Sequence, residues 1–275
     1  MRDRGGCEAV TEDREVVPIK LHEREKIEVG DMVRREYVSI PDGLTEIRQH
    51  LPTAAKMIEH AARWVHPDTF GALPVWYPDT ARGRQRYDAN WLEPLLSRKG
   101  KPKLEQNVQA GKALVCALGV RPSAKPSSWT VCHIWGYDDD RFATESMIVK
   151  DPRYYSCIGN MVWLPTPLKG FTDAVPEIKR MLRTCAYYLY GWAPRTLIET
   201  ELAETKVIPG GYPESWPTAD RNSPPRGTSP YSQCVKDAVE RRKRQLRMRL
   251  ANKALTHYPR QEVRDVLAFW HVEDV

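Results

Sequence analysis

His133 is the residue of this chain best suited by type and position to move a proton. It closes the apolar segment Trp129-Thr130-Val131-Cys132-His133-Ile134-Trp135-Gly136, and an imidazole exchanges its proton near neutral pH. A second apolar segment, Cys157-Ile158-Gly159-Asn160-Met161-Val162-Trp163-Leu164-Pro165, is built around Asn160. Two readings fit that asparagine: its amide bonds loop backbone so that the His133 ring is held toward a substrate, or it is a plain turn former. Lys169 and Asp173 follow, four positions apart. Either Lys169 meets an anion while Asp173 holds a cation, or the two form an i,i+4 ion pair with Asp173 as a helix N-cap. The run Asp138-Asp139-Asp140 offers the hard oxygen donors that Mg2+ takes, or else a solvated acidic loop. Cys132 and Cys157 do not form a thiol nucleophile with His133, because adjacent strand residues face apart and no helix N-terminus precedes either thiol.

The charge balance favours a polyanionic partner. Across 275 residues the formal net charge is +6, a mild excess that attracts phosphate at long range. Six basic residues fall within the ten positions from Glu240 to Arg249. Arg241, Arg242, Lys243, Arg244 and Arg247 are the expected phosphate contacts, sequence-independent and salt-sensitive. A solvated charged face with its apolar side on the core is the other reading of that helix. The hydrophobic share of 41% suffices for a packed interior. No apolar run reaches the length of a membrane span, and the first residues lack the apolar core of a secretion signal, so the expected address is the cytoplasm. The six cysteines are scattered without a C-x-x-C pair, a spacing that indicates neither a zinc knuckle nor a disulfide framework.

The order of features, an apolar strand ending in His133, a polar loop, Asn160 opening a second strand, then a helix beginning near a proline, resembles the ββα-metal core of the HNH nuclease superfamily. The resemblance covers about 45 residues, 129–173, and is carried by His133-Ile134, Asn160 with Leu164, and Phe171 with Asp173. It implies an α+β protein in which an HNH-like ββα-metal core is embedded in a mostly helical chain. It also implies metal-dependent DNA cleavage, with His133 as general base, Asn160 orienting it, Lys169 near phosphate and Asp173 near a divalent ion, Mg2+ or alternatively Mn2+. Members usually carry Asp or His before the strand histidine and His or Asn nine positions after the strand asparagine. Cys132 and Lys169 stand there instead, features that favour the alternative of a non-catalytic nucleic-acid-binding or scaffold protein. The family's habits point to restriction or phage defence, and a homodimer would suit a palindromic duplex site.

The elements that must position these residues follow from periodicity. Residues 1–40 read as a polar N-terminal arm with edge strands, and 41–128 as a helical region. In the latter, Leu44, Ile47, Leu51, Ala54, Ala55, Ile58, Ala61, Ala62 and Val65 keep helical spacing, with Pro52 as a split or kink. The loop 66–90 carries Arg82, Arg84 and Arg86, and a second helix fits Leu104 to Leu118 with Gly119 as its stop. Residues 129–192 hold the HNH-like core, including a helix from Ala174 to Tyr190 capped by Thr172 or Asp173 and ended by Gly191. The stretch 193–230 reads as an extended linker, rich in Pro, Gly, Ser and Asn from about 205. The basic segment 231–275 contains an amphipathic helix with Val235, Val239, Leu246 and Leu250 on its apolar side, then a short final helix.

Overall fold

The computed structural model describes residues 42–81, 107–121, 127–136, 148–197, 199–255 and 258–275. The expected N-terminal arm, Arg82, Arg84, Arg86 and Asp138 to Asp140 lie outside the described residues. The fold below is that of the unit running from Gly43 to Val275.

The protein is mixed α/β, mostly helical around a small two-stranded antiparallel sheet. β1 (Trp129–His133) pairs with β2 (Met161–Pro165), with Trp129 opposite Pro165 and His133 opposite Met161. The far edge of β2 is also closed: Arg63 N donates to Trp163 O at 2.9 Å, and Trp163 N to Arg63 O at 3.1 Å. A strand buried on both faces must satisfy its backbone this way, because no water reaches its free edge.

Side-chain alternation sends the sheet's two faces into two different cores. One face, Cys132, Val162 and Leu164, packs with Ala54, Ile58, Ile178, Met181, Leu182 and Trp216. The other, Met161 and Trp163 with Trp129 and Val131, packs with Leu73, Trp76, Leu114, Tyr155 and Ile158.

Helices supply both cores. The helix expected to split or kink at Pro52 is two helices, α1 (Gly43–Gln49) and α2 (Leu51–Ala61), and Pro52 sits in the first turn of α2, where its missing N–H costs nothing. α3 (Pro67–Ala72) and α4 (Asn107–Ala117) flank the Trp163 face. α5 (Pro152–Tyr155) is one turn between the strands, with Asp151 as its N-cap. α6 (Lys169–Ala174) and α7 (Pro176–Tyr190) follow β2. The expected cap at Thr172 or Asp173 is not used: both residues lie inside α6, and α7 opens at Pro176 behind Val175, which offers no side-chain cap. Gly191, with φ +61°, ends α7 in the left-handed conformation a glycine adopts without strain.

The stretch read as an extended linker contains α8 (Glu199–Lys206) and buries Trp216, which meets Trp64 edge to face at 5.8 Å. An indole of that size outweighs the weak periodicity around it. α9 (Gln233–Ala251) and α10 (Arg260–Phe269) close the chain. Among the described residues no helix is long and apolar enough to cross a membrane.

Candidate functional site

His133 is the last residue of β1 and is half-buried. Its ring stacks on Tyr155, centroids 5.5 Å apart and planes 23° apart, and its Nε2 lies 2.9 Å from the Tyr155 carbonyl oxygen. A carbonyl only accepts, so Nε2 carries the hydrogen and the lone pair of the neutral ring sits on Nδ1. The fold thereby selects the tautomer of the candidate base.

Tyr155 holds this position because its turn is braced on three sides. Asp151 accepts from Arg153 N at 2.8 Å and pairs with the Arg153 guanidinium at 2.6 Å. Ser156 Oγ accepts from Tyr77 N at 2.8 Å, and Trp270 Nε1 donates to Arg153 O at 2.9 Å. Gly159 lets the next turn press against Phe70: a Cβ there would lie 2.7 Å from the Phe70 ring.

Asn160 has no exposed surface. Its Oδ1 accepts from Trp135 N at 2.8 Å, while Nδ2 donates to Trp135 O at 3.3 Å and Tyr154 O at 3.2 Å. Its own carbonyl accepts from Ile134 N at 2.9 Å. One side chain therefore ties the segment leaving His133 to the turn that holds the His133 ring, and each of its polar atoms is used. Of the expected site residues, these two are brought together.

Lys169 and Asp173 are not brought to them. They form an ion pair with each other along α6, with side chains 42% and 52% exposed. Their helix faces the other side of the sheet, where Cys132 hydrogen-bonds Thr172 and feels both charges. Neighbouring strand residues point apart, so Cys132 and His133 look into different halves of the molecule. Burial pushes the Cys132 thiol up to about 11 and the Cys157 thiol up to about 12, which keeps both protonated.

The residues present do not fit a divalent ion at Asp173, whose carboxylate is engaged by a lysine ammonium. No group of three or more His, Cys, Asp or Glu side chains converges among the described residues.

The basic helix also divides in a way its composition hides. Arg241, Arg244 and Arg247 are exposed, as the phosphate-binding reading requires. Lys243 is only 12% exposed and lies 3.6 Å from Asp274. Arg242, expected on the same surface, is 5% exposed, with its guanidinium 4.1 Å from the Tyr77 ring centroid and its Nη2 3.8 Å from Asp79. Arg249 shares that carboxylate at 2.7 Å. Desolvation lowers the Arg242 pKa, and Asp79 opposes the shift. Arg242 is thus a structural cation pinning α9 to residues 76–79. The signal was present in the spacing of Val235, Val239, Leu246 and Leu250, whose stripe passes through position 242.

Comparison with protein-family models, with curated proteins and with solved structures gives no match.

Proposed function

We propose that this protein is a nucleic-acid phosphodiesterase whose β1, β2 and following helices form an HNH-like ββα core, with His133 as general base on DNA. The observation that carries the reading is the fixed tautomer: Nε2 is committed to the Tyr155 carbonyl, which leaves the basic lone pair on Nδ1. That nitrogen takes the proton of an attacking water as its oxygen bonds to phosphorus, and the leaving oxygen departs with the P–O bond electrons. Asn160 keeps the two loop segments in register and is a positioning residue. Exposed Arg241, Arg244 and Arg247 supply backbone attraction.

The resemblance brings a divalent cation, Mg2+ or Mn2+, into the proposal as the Lewis acid at the reacting phosphate. Lys169 and Asp173 are not assigned to it, because they occupy the opposite face of the sheet and engage each other. A cytoplasmic setting in restriction or phage defence belongs to the same proposal.

That same ion pair favours a second reading, a nucleic-acid-binding protein that keeps the core and has lost cleavage. Plasmid incubated with the protein in Mg2+, Mn2+ or EDTA separates the two. Metal-dependent nicking that disappears in His133→Ala supports the enzyme. Retention of DNA without nicking in either metal supports the binding protein.

A further inference from the structure

The one-turn helix α5 ends on carbonyl groups that have no intrahelical partner, as the last carbonyls of any helix do. Three in succession meet side-chain donors from three different parts of the chain. Arg153 O accepts from Trp270 Nε1 at 2.9 Å, Tyr154 O from Asn160 Nδ2 at 3.2 Å, and Tyr155 O from His133 Nε2 at 2.9 Å. The carbonyl that selects the His133 tautomer therefore lies two residues from one held by the end of α10. A single turn gains too few bonds of its own to stay formed alone, so its outside partners decide how firmly it stands.

The α10 end is a firm anchor. Trp270 closes α10, and the chain leaves it through His271 at φ +53°. His271 N bonds Ala268 O at 3.0 Å and Val272 N bonds Leu267 O at 3.0 Å, the paired closure that usually has glycine at the left-handed position. The Trp270 indole is packed by Trp192, Phe269 and Phe70, with centroids 5.3, 5.3 and 5.7 Å away, so three rings set the direction of its N–H. Arg153 is gripped a second time through its side chain. The guanidinium lies 5.0 Å from the Phe269 centroid while it pairs with Asp151, the N-cap of α5.

We infer that Trp270 is a positioning residue for His133: its indole N–H latches α5 to the end of α10, and α5 presents the Tyr155 carbonyl that holds the imidazole. The catalytic consequence of this latch rests on the proposed function. Without the Trp270 bond the turn opens more often, and each opening takes the Tyr155 carbonyl away from Nε2–H. The ring then loses the partner that fixes its tautomer.

The test uses the whole protein and follows the His133 Nε2 hydrogen by nitrogen-15 NMR as it exchanges with solvent. Trp270→Phe keeps a ring among Phe70, Trp192 and Phe269 and removes the donor to Arg153 O. It should speed that exchange about two- to tenfold, the equilibrium worth of one hydrogen bond. Trp192→Phe trims the same aromatic cluster and leaves the Arg153 bond in place, so exchange should stay at the wild-type rate. Equal exchange in wild type and Trp270→Phe overturns the latch, and so does equal acceleration in both variants, which would mean general loosening. Wild type supplies a second reading that needs no substitution: the Trp270 indole hydrogen and the His133 Nε2 hydrogen should respond to urea with one slope, because one opening releases both. Unequal slopes overturn the latch. Exchange and cleavage fail separately: acceleration in a protein that never nicks DNA sinks the nuclease reading alone, and nicking with unmoved exchange sinks the latch alone.

Discussion

Replacing Asn160 with alanine removes three hydrogen bonds from a side chain that has no contact with solvent. The Trp135 N–H is left without its acceptor, a loss of about 1–3 kcal/mol for a buried donor. The carbonyls of Trp135 and Tyr154 each lose a partner, and the vacated volume adds a small cavity penalty, so the total comes to roughly 3–5 kcal/mol. Asn160→Asp refines the test. It keeps an oxygen for Trp135 N but turns the donating end into a second oxygen facing two carbonyls. Burial raises the pKa of that new carboxyl above its unfolded value, so the variant is least destabilised below about pH 4 and loses stability as pH rises above it. Urea unfolding followed by circular dichroism at acid and neutral pH measures both effects. An Asn160→Ala protein within about 1 kcal/mol of wild type, or an Asn160→Asp protein with wild-type pH dependence, would refute the claim that this amide fastens the two loop segments.

Other outcomes follow from the same geometry. Arg242→Met should cost about 3 kcal/mol, the low end for breaking a buried ion pair because Arg249 still faces Asp79, whereas exposed Arg241→Ala should change stability by less than about 0.5 kcal/mol. Arg241→Ala and Arg244→Ala should each lower the salt dependence of DNA affinity by about one unit of slope, read from binding titrations across ionic strength. At pH 8 the exposed Cys234 should react with iodoacetamide in the native protein while Cys132, Cys157 and Cys185 stay protected, as mass spectrometry of the alkylated chain will report. Because folding raises the Cys132 and Cys157 pKa values from 9.0 to about 11 and about 12, the stability linked to them is complete below pH 9 and is lost as pH climbs toward those values, which alkaline urea titrations will register. Gly227→Ala should destabilise the fold, since φ is +87° there and an added Cβ would collide with the Ala62 carbonyl.

The strands and the loop asparagine were legible because their signals are local. Short apolar runs over 129–133 and 161–165 mark a strand pair, and a polar amide at the mouth of a buried strand must find backbone partners. The turn that orients His133 was harder to see, although Asp151-Pro152 is a helix-start signature and Tyr155 lies three residues beyond Pro152. What the sequence hides is which side of the sheet a later element covers. Lys169 and Asp173 follow β2 closely, yet α6 lies against the Cys132 face, a choice made by the apolar residues Ile178, Met181 and Leu182 of α7 behind it. Arg242 shows the opposite limit: its charge suggested a surface, and its place in the stripe between Val239 and Leu246 decided for the interior. Trp216 folded into a core from a stretch whose composition favours loops, because burying one indole removes a large apolar surface from water.

The role of His133 is tested most directly by single-turnover cleavage of a labelled oligonucleotide by wild type and His133→Gly, with and without added imidazole. If Nδ1 of His133 is the base, the variant loses roughly 10²- to 10⁴-fold in rate, keeps its affinity for the oligonucleotide, and recovers part of the rate when imidazole fills the vacated site. Cleavage by His133→Gly at the wild-type rate would contradict the account.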